Sequence, residues 1–195
     1  MRIDEIGKVI HGVTLSRVQA KPGEECKAFK LFTMQDLSRE TGNYSLDIEE
    51  QIVNVNPKKY DERLLSYKGI IIIGLTSYKA LVIDEEHIGK IIPSNFAVIK
   101  LEDKKVNPFY FTWYFNEHPS IKKQLVVAMQ GSIIRALSIQ MLRELDVELP
   151  DASIQNTIGE IYRLRKLKEK KVFEKNILED TLLKEKIIRK LKEDK

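Results

Sequence analysis

The chain has little of the chemistry that marks a catalyst. Cys26 is the only cysteine among 195 residues, which excludes a disulfide framework and a CxxC pair. The three histidines, His11, His87 and His118, are widely scattered, a poor pattern for zinc. The longest apolar runs, such as Gly69-Ile70-Ile71-Ile72-Ile73-Gly74, fall far short of the roughly 20 residues that span a bilayer. The opening Met1-Arg2-Ile3-Asp4-Glu5 has no apolar signal segment, so a soluble cytoplasmic protein is expected. Neither GxGxxG nor GxxxxGK[ST] occurs, which removes the common nucleotide loops. There is no Pro-Pro for the Asn/Asp-Pro-Pro-aromatic segment of a DNA methyltransferase, and no GxSxG elbow.

One nuclease-like pattern is present. Pro150-Asp151 followed by Glu169-Lys170-Lys171 fits a loose PD…ExK spacing, in which carboxylates hold Mg²⁺ and a lysine stabilises charge at the phosphate. Both parts fall on one helical stretch, so they lie about 27 Å apart along its axis and cannot meet within one chain. Cys26 has no base near it in sequence, and Trp113 in the aromatic run 109–115 reads as core. No acid–base pair or nucleophile emerges, and the chain reads as a non-enzyme.

What is present divides at Pro150. Up to that point, turn residues punctuate short apolar runs. Residues 29–32, 69–75, 80–84, 96–101 and 146–149 read as strands, being short, β-branched or aromatic, and bounded by Gly, Pro, Asn or Asp. Asn107-Pro108, His118-Pro119-Ser120 and Ser138 read as helix starts. Short strands among short helices predict a compact α/β (α+β) domain. From Ala152 onward there is no proline and one glycine, Gly159. Asp151 or Ser153 can cap a helix of about 40 residues, or 60 Å. Ile154, Ile158, Ile161, Leu164 and Leu167 form an apolar stripe, and further Ile and Leu follow. Lys168 and Lys171 fall near heptad core positions, so the pattern is not a clean two-stranded coiled coil. A helix this long cannot lie wholly on a 150-residue body, and its apolar face needs a partner. Charge divides too: residues 151–195 hold 13 Lys/Arg against 9 Asp/Glu, leaving 20 of each in residues 1–150. Any nucleic-acid footprint on the neutral body is therefore local.

The arrangement of "IDEIGKVIHGVT", "YKGIIIIGLTSYKALVID", "IIPSNFAVIKL", "NPFYFTWYFNE" and "MQGSIIRALSIQMLRELDVELPDASIQNTIGEI" resembles the DNA specificity (S) subunit of type I restriction–modification systems. It covers essentially the whole chain and looks like half of such a subunit. Residues 1–150 would be one target-recognition domain, and residues 151–195 one conserved-region helix. Its most specific part is the Gly-Ser turn, short helix, strand ending in Leu-Pro, and Gln155 at the helix start. The chain has Ile154-Gln155, Gly69-Ile70 and "TSYK" where the family often has Glu-Gln, Gly-Asp and a glycine-rich turn. The resemblance implies sequence-specific binding of double-stranded DNA without catalysis. It also implies docking of a methyltransferase (modification) subunit and, indirectly, a restriction subunit. This chain would hold no cofactor: S-adenosylmethionine would belong to the methyltransferase, and ATP and Mg²⁺ to the motor-nuclease.

On that reading three loops are candidates for DNA contact. One is the bend from Gln130 to Arg135. Glycine there lets the backbone approach a phosphate, Ser132 can donate to it, and Arg135 can reach guanine O6 and N7. The same bend also fits a plain structural turn with Arg135 in solvent or against the long helix. The others are Thr76, Ser77, Tyr78 and Lys79, and Thr14 with Arg17 near the N-terminus. The long helix would pair two chains through Ile161, Leu164, Leu167, Phe173, Ile177, Leu182 and Ile188, giving a homodimer whose recognition domains sit at opposite ends. The competing reading is a non-DNA scaffold that uses the same helix to hold another protein.

Overall fold

A computed structural model of the chain describes residues 1–45, 49–59, 61, 65–102, 106–130 and 136–193. In chain order the elements are α1 (Ile3–Ile6), β1 (Gly7–His11), α2 (Leu15–Val18), β2 (Lys27–Lys30), α3 (Met34–Glu40) and β3 (Ile52–Val55). They continue with β4 (Ile71–Gly74), β5 (Lys79–Val82), β6 (Phe96–Leu101), α4 (Pro108–Glu117), α5 (Pro119–Ala128), α6 (Ile139–Glu144) and α7 (Ala152–Glu193). The expected α/β body followed by one long helix is what the chain forms.

An antiparallel sheet in the order β1-β6-β4-β5 is the centre of the body, and β2 and β3 make a separate antiparallel pair across α3 in sequence. All of β4 is buried because both faces of the sheet are covered. Ile71 and Ile73 face a core shared with Phe111, Phe115 and Leu142 of the helices. Ile70 and Ile72 face the other way, onto Phe32, Leu37 and Phe96. That two-sided burial is why the sequence shows a continuous isoleucine run there rather than an alternating one.

Helix starts follow their caps. The Asn107 side-chain oxygen accepts from the N–H groups of Phe109 and Tyr110 at 2.9 and 3.1 Å, with Pro108 in the first turn. His118 Nδ1 accepts from Ser120 N, and Ser138 Oγ accepts from Met141 N. The strand expected over 146–149 does not form. Its backbone groups are taken elsewhere: Gln124 bonds both N–H and C=O of Asp146, and the Tyr110 hydroxyl donates to Glu148 O at 2.7 Å. Only an isolated bridge, Arg2 to Asp146, remains. The strand expected at 29–32 is shifted to β2, with Leu31 bridging Ile91. Trp113, expected in the core, is half-buried at its edge.

α7 has 42 residues, about 63 Å. The side it lays on the body is mostly polar: Gln155, Gly159, Tyr162, Lys166, Lys170 and Phe173, spaced by three or four residues. Gly159 permits the contact, since a Cβ there would stand 2.6 Å from Asn107 Oδ1 and 3.0 Å from Tyr110 N. Of the apolar stripe, Ile158 packs against the core. Ile154, Ile161, Leu164 and Leu167 are exposed. From Leu178 onward every described side chain of α7 is exposed, so its last turns project beyond the body.

Candidate nucleic-acid interface

The central sheet brings the separate loops to one of its ends. β1 finishes at His11 opposite Ala97, β4 finishes at Gly74 opposite Phe96, and β5 starts at Lys79 opposite Gly74. The connections leaving these strands therefore share one rim. Val13 is bridged to Pro93, and its N–H donates to Ile92 O at 2.7 Å. Leu75 N donates to Asn95 O at 3.1 Å, and Leu137 N donates to Leu75 O at 2.9 Å. Loops that are 20 to 79 residues apart in sequence are thus stitched together by backbone hydrogen bonds. Gly12 makes the first junction possible, because a Cβ there would lie 2.1 Å from the Pro93 carbonyl oxygen.

The candidate side chains are placed as follows. Thr14 is exposed at the start of α2, where its side chain makes no capping bond, and Arg17 is exposed at the end of the same short helix. Thr76 and Lys79 are exposed on the turn from β4 to β5. Tyr78 has a φ of 54° and packs against the core. An aromatic residue seldom adopts that left-handed conformation, so the turn is held in a specific shape. Ser77 points inward: its Oγ is buried with no hydrogen-bond partner among the described residues. Gln130 is exposed just beyond α5, and Leu137 is held at the rim by its bond to Leu75 O. Gly131, Ser132 and Arg135 lie outside the described residues.

The residues assigned to pairing divide into two groups. Ile161, Leu164, Leu167, Leu182 and Ile188 are 46% to 62% exposed. Phe173 instead packs against Tyr44 of the same chain, ring centroids 5.7 Å apart, and Ile177 is half-buried. Sequence reasoning missed the latch that fixes the helix angle. Lys170 Nζ donates to Glu40 at 2.9 Å and Glu86 at 3.1 Å, and Arg39 pairs with both carboxylates. Tyr44 donates to Glu169, Asn116 donates to the Tyr162 hydroxyl at 2.8 Å, and Arg165 pairs with Glu117. Only the i, i+3 and i, i+4 repeat of polar residues along α7 could have signalled this face.

Burial alone would raise the Glu86 pKa, but hydrogen bonds from Arg39 and Lys170 outweigh it and hold the group down at about 2. Glu40 is likewise lowered against its burial, by His87 and Lys170. Lys170 is raised against its burial by the two carboxylates. Glu40, Glu86 and His87 offer ligand atoms within 4.8 Å of one another. Both carboxylates, however, already carry Arg39 and Lys170, which supply the positive charge an ion would bring. The cluster is therefore an ion-pair clasp between body and helix, and its perturbed groups lie away from the loop rim.

Comparison with known proteins gives one consistent answer. No family model matches the chain, and no curated protein sequence does. Among solved structures, the type I restriction–modification S subunit from M. genitalium superposes with a TM-score of 0.55 at 16% identity, over 94% of this chain and 44% of that one. The HsdS subunit from Thermoanaerobacter tengcongensis gives 0.53 at 15%, over 88% and 39%. A chain described under the assembly and conformational transition of the type I R-M system gives 0.58 at 14%, over 95% and 42%. The fold is that of these S subunits, and the chain spans about two fifths of their length. No helix among the described residues is long and apolar enough to cross a membrane.

Proposed function

We propose that the chain is a non-catalytic DNA-specificity subunit of a type I restriction–modification system. It reads one half of a bipartite target and pairs with a second copy through α7. The observation that carries this reading is the convergence of the N-terminal, 75–79 and 93–95 loops and the exit of the 130–137 segment on one rim, in a body with the S-subunit fold. Lys79 supplies exposed positive charge at that rim and Arg17 supplies it on the short helix leading away, while exposed Thr14 and Thr76 supply neutral donors and acceptors, as Gln130 would if the segment it opens brings it there. Such a mixture suits phosphate contact and base-edge readout together. The neutral body makes the electrostatic component modest, so few phosphates are neutralised.

The exposed apolar residues of α7 favour helix pairing in two-fold symmetry, with recognition bodies at opposite ends. Two copies would then read two inverted half-sites at a spacing fixed by the helices, as two-fold binders read palindromes. The methyltransferase subunit would dock on the paired helices and bring S-adenosylmethionine, while ATP and Mg²⁺ chemistry would belong to a restriction subunit. All of this would take place in the cytoplasm.

The test is selection from a random duplex pool by the purified chain, alone and with a type I methyltransferase subunit, with light scattering on the same samples. Enrichment of an inverted, spaced sequence together with capture of the methyltransferase is expected. Capture without any DNA enrichment would instead favour the scaffold reading.

A further inference from the structure

A second surface lies away from the loop rim. Tyr110, Trp113 and Tyr114 on one side of α4 and His118 just after it, with Glu148 to Pro150 and Ile158 of α7, line an open cleft of about 350 Å³. His118 stacks on Tyr114 at 4.2 Å, and Trp113 meets His118 edge-on at 5.7 Å. The Tyr114 hydroxyl is buried with no hydrogen-bond partner among the described residues. Trp113, the only tryptophan in the chain, is left half-buried at the edge of the cleft. The rim is acidic: Glu148 and Asp151 are exposed beside it, and Asp146 lies just before them.

At the far end of α7 the projecting turns carry the complementary surface. Leu183, Ile187 and Leu191 recur every four residues on one side, and all are more than half exposed. Between them the charge is basic, with Lys184, Lys186, Arg189 and Lys190 against Glu185. The chain's own α7 cannot bend these turns back to the cleft, because Ile154 and Leu191 stand about 55 Å apart on one continuous helix. In an antiparallel pair centred near residue 172, the turns at Ile187 and Leu191 of one copy run beside Ile158 and Ile154 of the other. Ile158 lines the cleft, and Ile154 is exposed one turn before it on the same helix.

We propose that the aromatic cleft on α4 is the seat for the basic, apolar C-terminal turns of α7 from a second copy. The proposal rests on the pairing of α7 described above and gives that pairing a specific socket. Apolar Leu183, Ile187 and Leu191 fill the aromatic floor, while the flanking lysines and Arg189 meet Glu148 and Asp151 at the lip. The contact ties the end of one copy's helix to the recognition body of the other. The distance between the two bodies then becomes a property of two sockets rather than of helix packing alone.

Two measurements on the full chain test this. Trp113 reports the cleft directly, through acrylamide quenching of its fluorescence across a dilution series that light scattering shows to cross from dimer to monomer. The quenching constant is expected to be several-fold lower in the dimer, and Ile187→Asp with Leu191→Asp to abolish that difference. Both substitutions are at exposed positions that the isolated body does not use. In a Cys26→Ser background, Ile154→Cys with Leu191→Cys is expected to give a covalent dimer on mild oxidation. A dimer with unchanged quenching and no cross-link overturns the socket while leaving the pairing of helices intact. Protection of Trp113 only after a methyltransferase subunit is added overturns it too, by assigning the cleft to that partner. A chain monomeric at every concentration overturns both the socket and the pairing, and leaves DNA reading to be judged by the duplex selection.

Discussion

The Gln155 side chain accepts a hydrogen bond from the backbone N–H of Asn107 at 3.1 Å, so the residue that caps α4 is itself held by the first turn of α7. The same amide donates to Pro150 O at 2.7 Å, and Gln155 is 4% exposed. One buried side chain therefore fixes the end of the body, the start of the long helix and the N-terminus of α4 relative to one another. Asn107 returns the contact by donating to Asn156 at 2.9 Å. Loss of this junction would free the angle between body and helix, and any ruler built on the helix would lose its precision.

Gly159→Ala tests how close that junction is. In an exposed helix the change would stabilise by up to about 1 kcal/mol. Here the new methyl would lie 2.6 Å from Asn107 Oδ1 and 3.0 Å from Tyr110 N. Overpacking of this kind costs about 1–3 kcal/mol, so the urea midpoint should fall despite the better helix propensity. A midpoint that rises would mean α7 stands off α4.

The clasp at Lys170 predicts an acid dependence. Glu86 titrates at about 2 in the folded chain against an ordinary 4.5, and Glu40 is lowered in the same direction. Their stabilisation is complete above the unfolded value and is lost as pH falls from there toward the folded one. Stability should therefore drop steeply below about pH 4.5. Lys170→Met should flatten that slope and cost about 1–3 kcal/mol at neutral pH, since it removes charged hydrogen bonds to both carboxylates. Urea titrations of both proteins between pH 2 and 7 give the comparison, and identical slopes would show that the clasp contributes nothing.

How much of this was legible before the fold was known depends on which physical signal each element carries. The caps at Asn107, His118 and Ser138 were readable because their hydrogen bonds are local in sequence. β6 was readable in full as a β-branched and aromatic run. β1 and β3 went unread: their short alternation, with Val9 or Val53 buried and polar residues between, is faint beside the isoleucine run of β4. The long helix was plain, yet the side it lays on the body was not. Periodicity locates apolar faces, and this docking face is built from Gln155, Gly159, Tyr162 and Lys170, which meet groups 46 to 130 residues away. The loops of the candidate interface could be named one by one from composition. Their meeting on a single rim depends on strand order, which no local pattern encodes.

Arg17→Ala and Lys79→Ala should each weaken binding to duplex DNA. Both cations are exposed, Lys79 at the rim and Arg17 on the short helix that leaves it. If each neutralises a phosphate, the slope of log affinity against log salt should fall by about 1 per substitution, with similar losses on every sequence. A change in sequence preference instead would mark that residue as a base reader. Unchanged affinity and slope for both would remove this rim as the DNA surface.

Ser77→Ala separates the inward from the outward member of the same turn. Its Oγ is buried and unpartnered, a condition that costs about 1–3 kcal/mol where it occurs. Removing the hydroxyl relieves that cost, and the small alanine side chain fits the space serine occupied. The variant should therefore match or exceed the parent in urea midpoint and keep its DNA affinity, in contrast to Lys79→Ala two residues on. The two outcomes are read from one denaturation series and one binding titration. A large loss of DNA affinity in Ser77→Ala with stability intact would mean the turn opens on binding and presents the hydroxyl to the nucleic acid. In that event Tyr78, held at a φ of 54°, would be the residue whose backbone releases it.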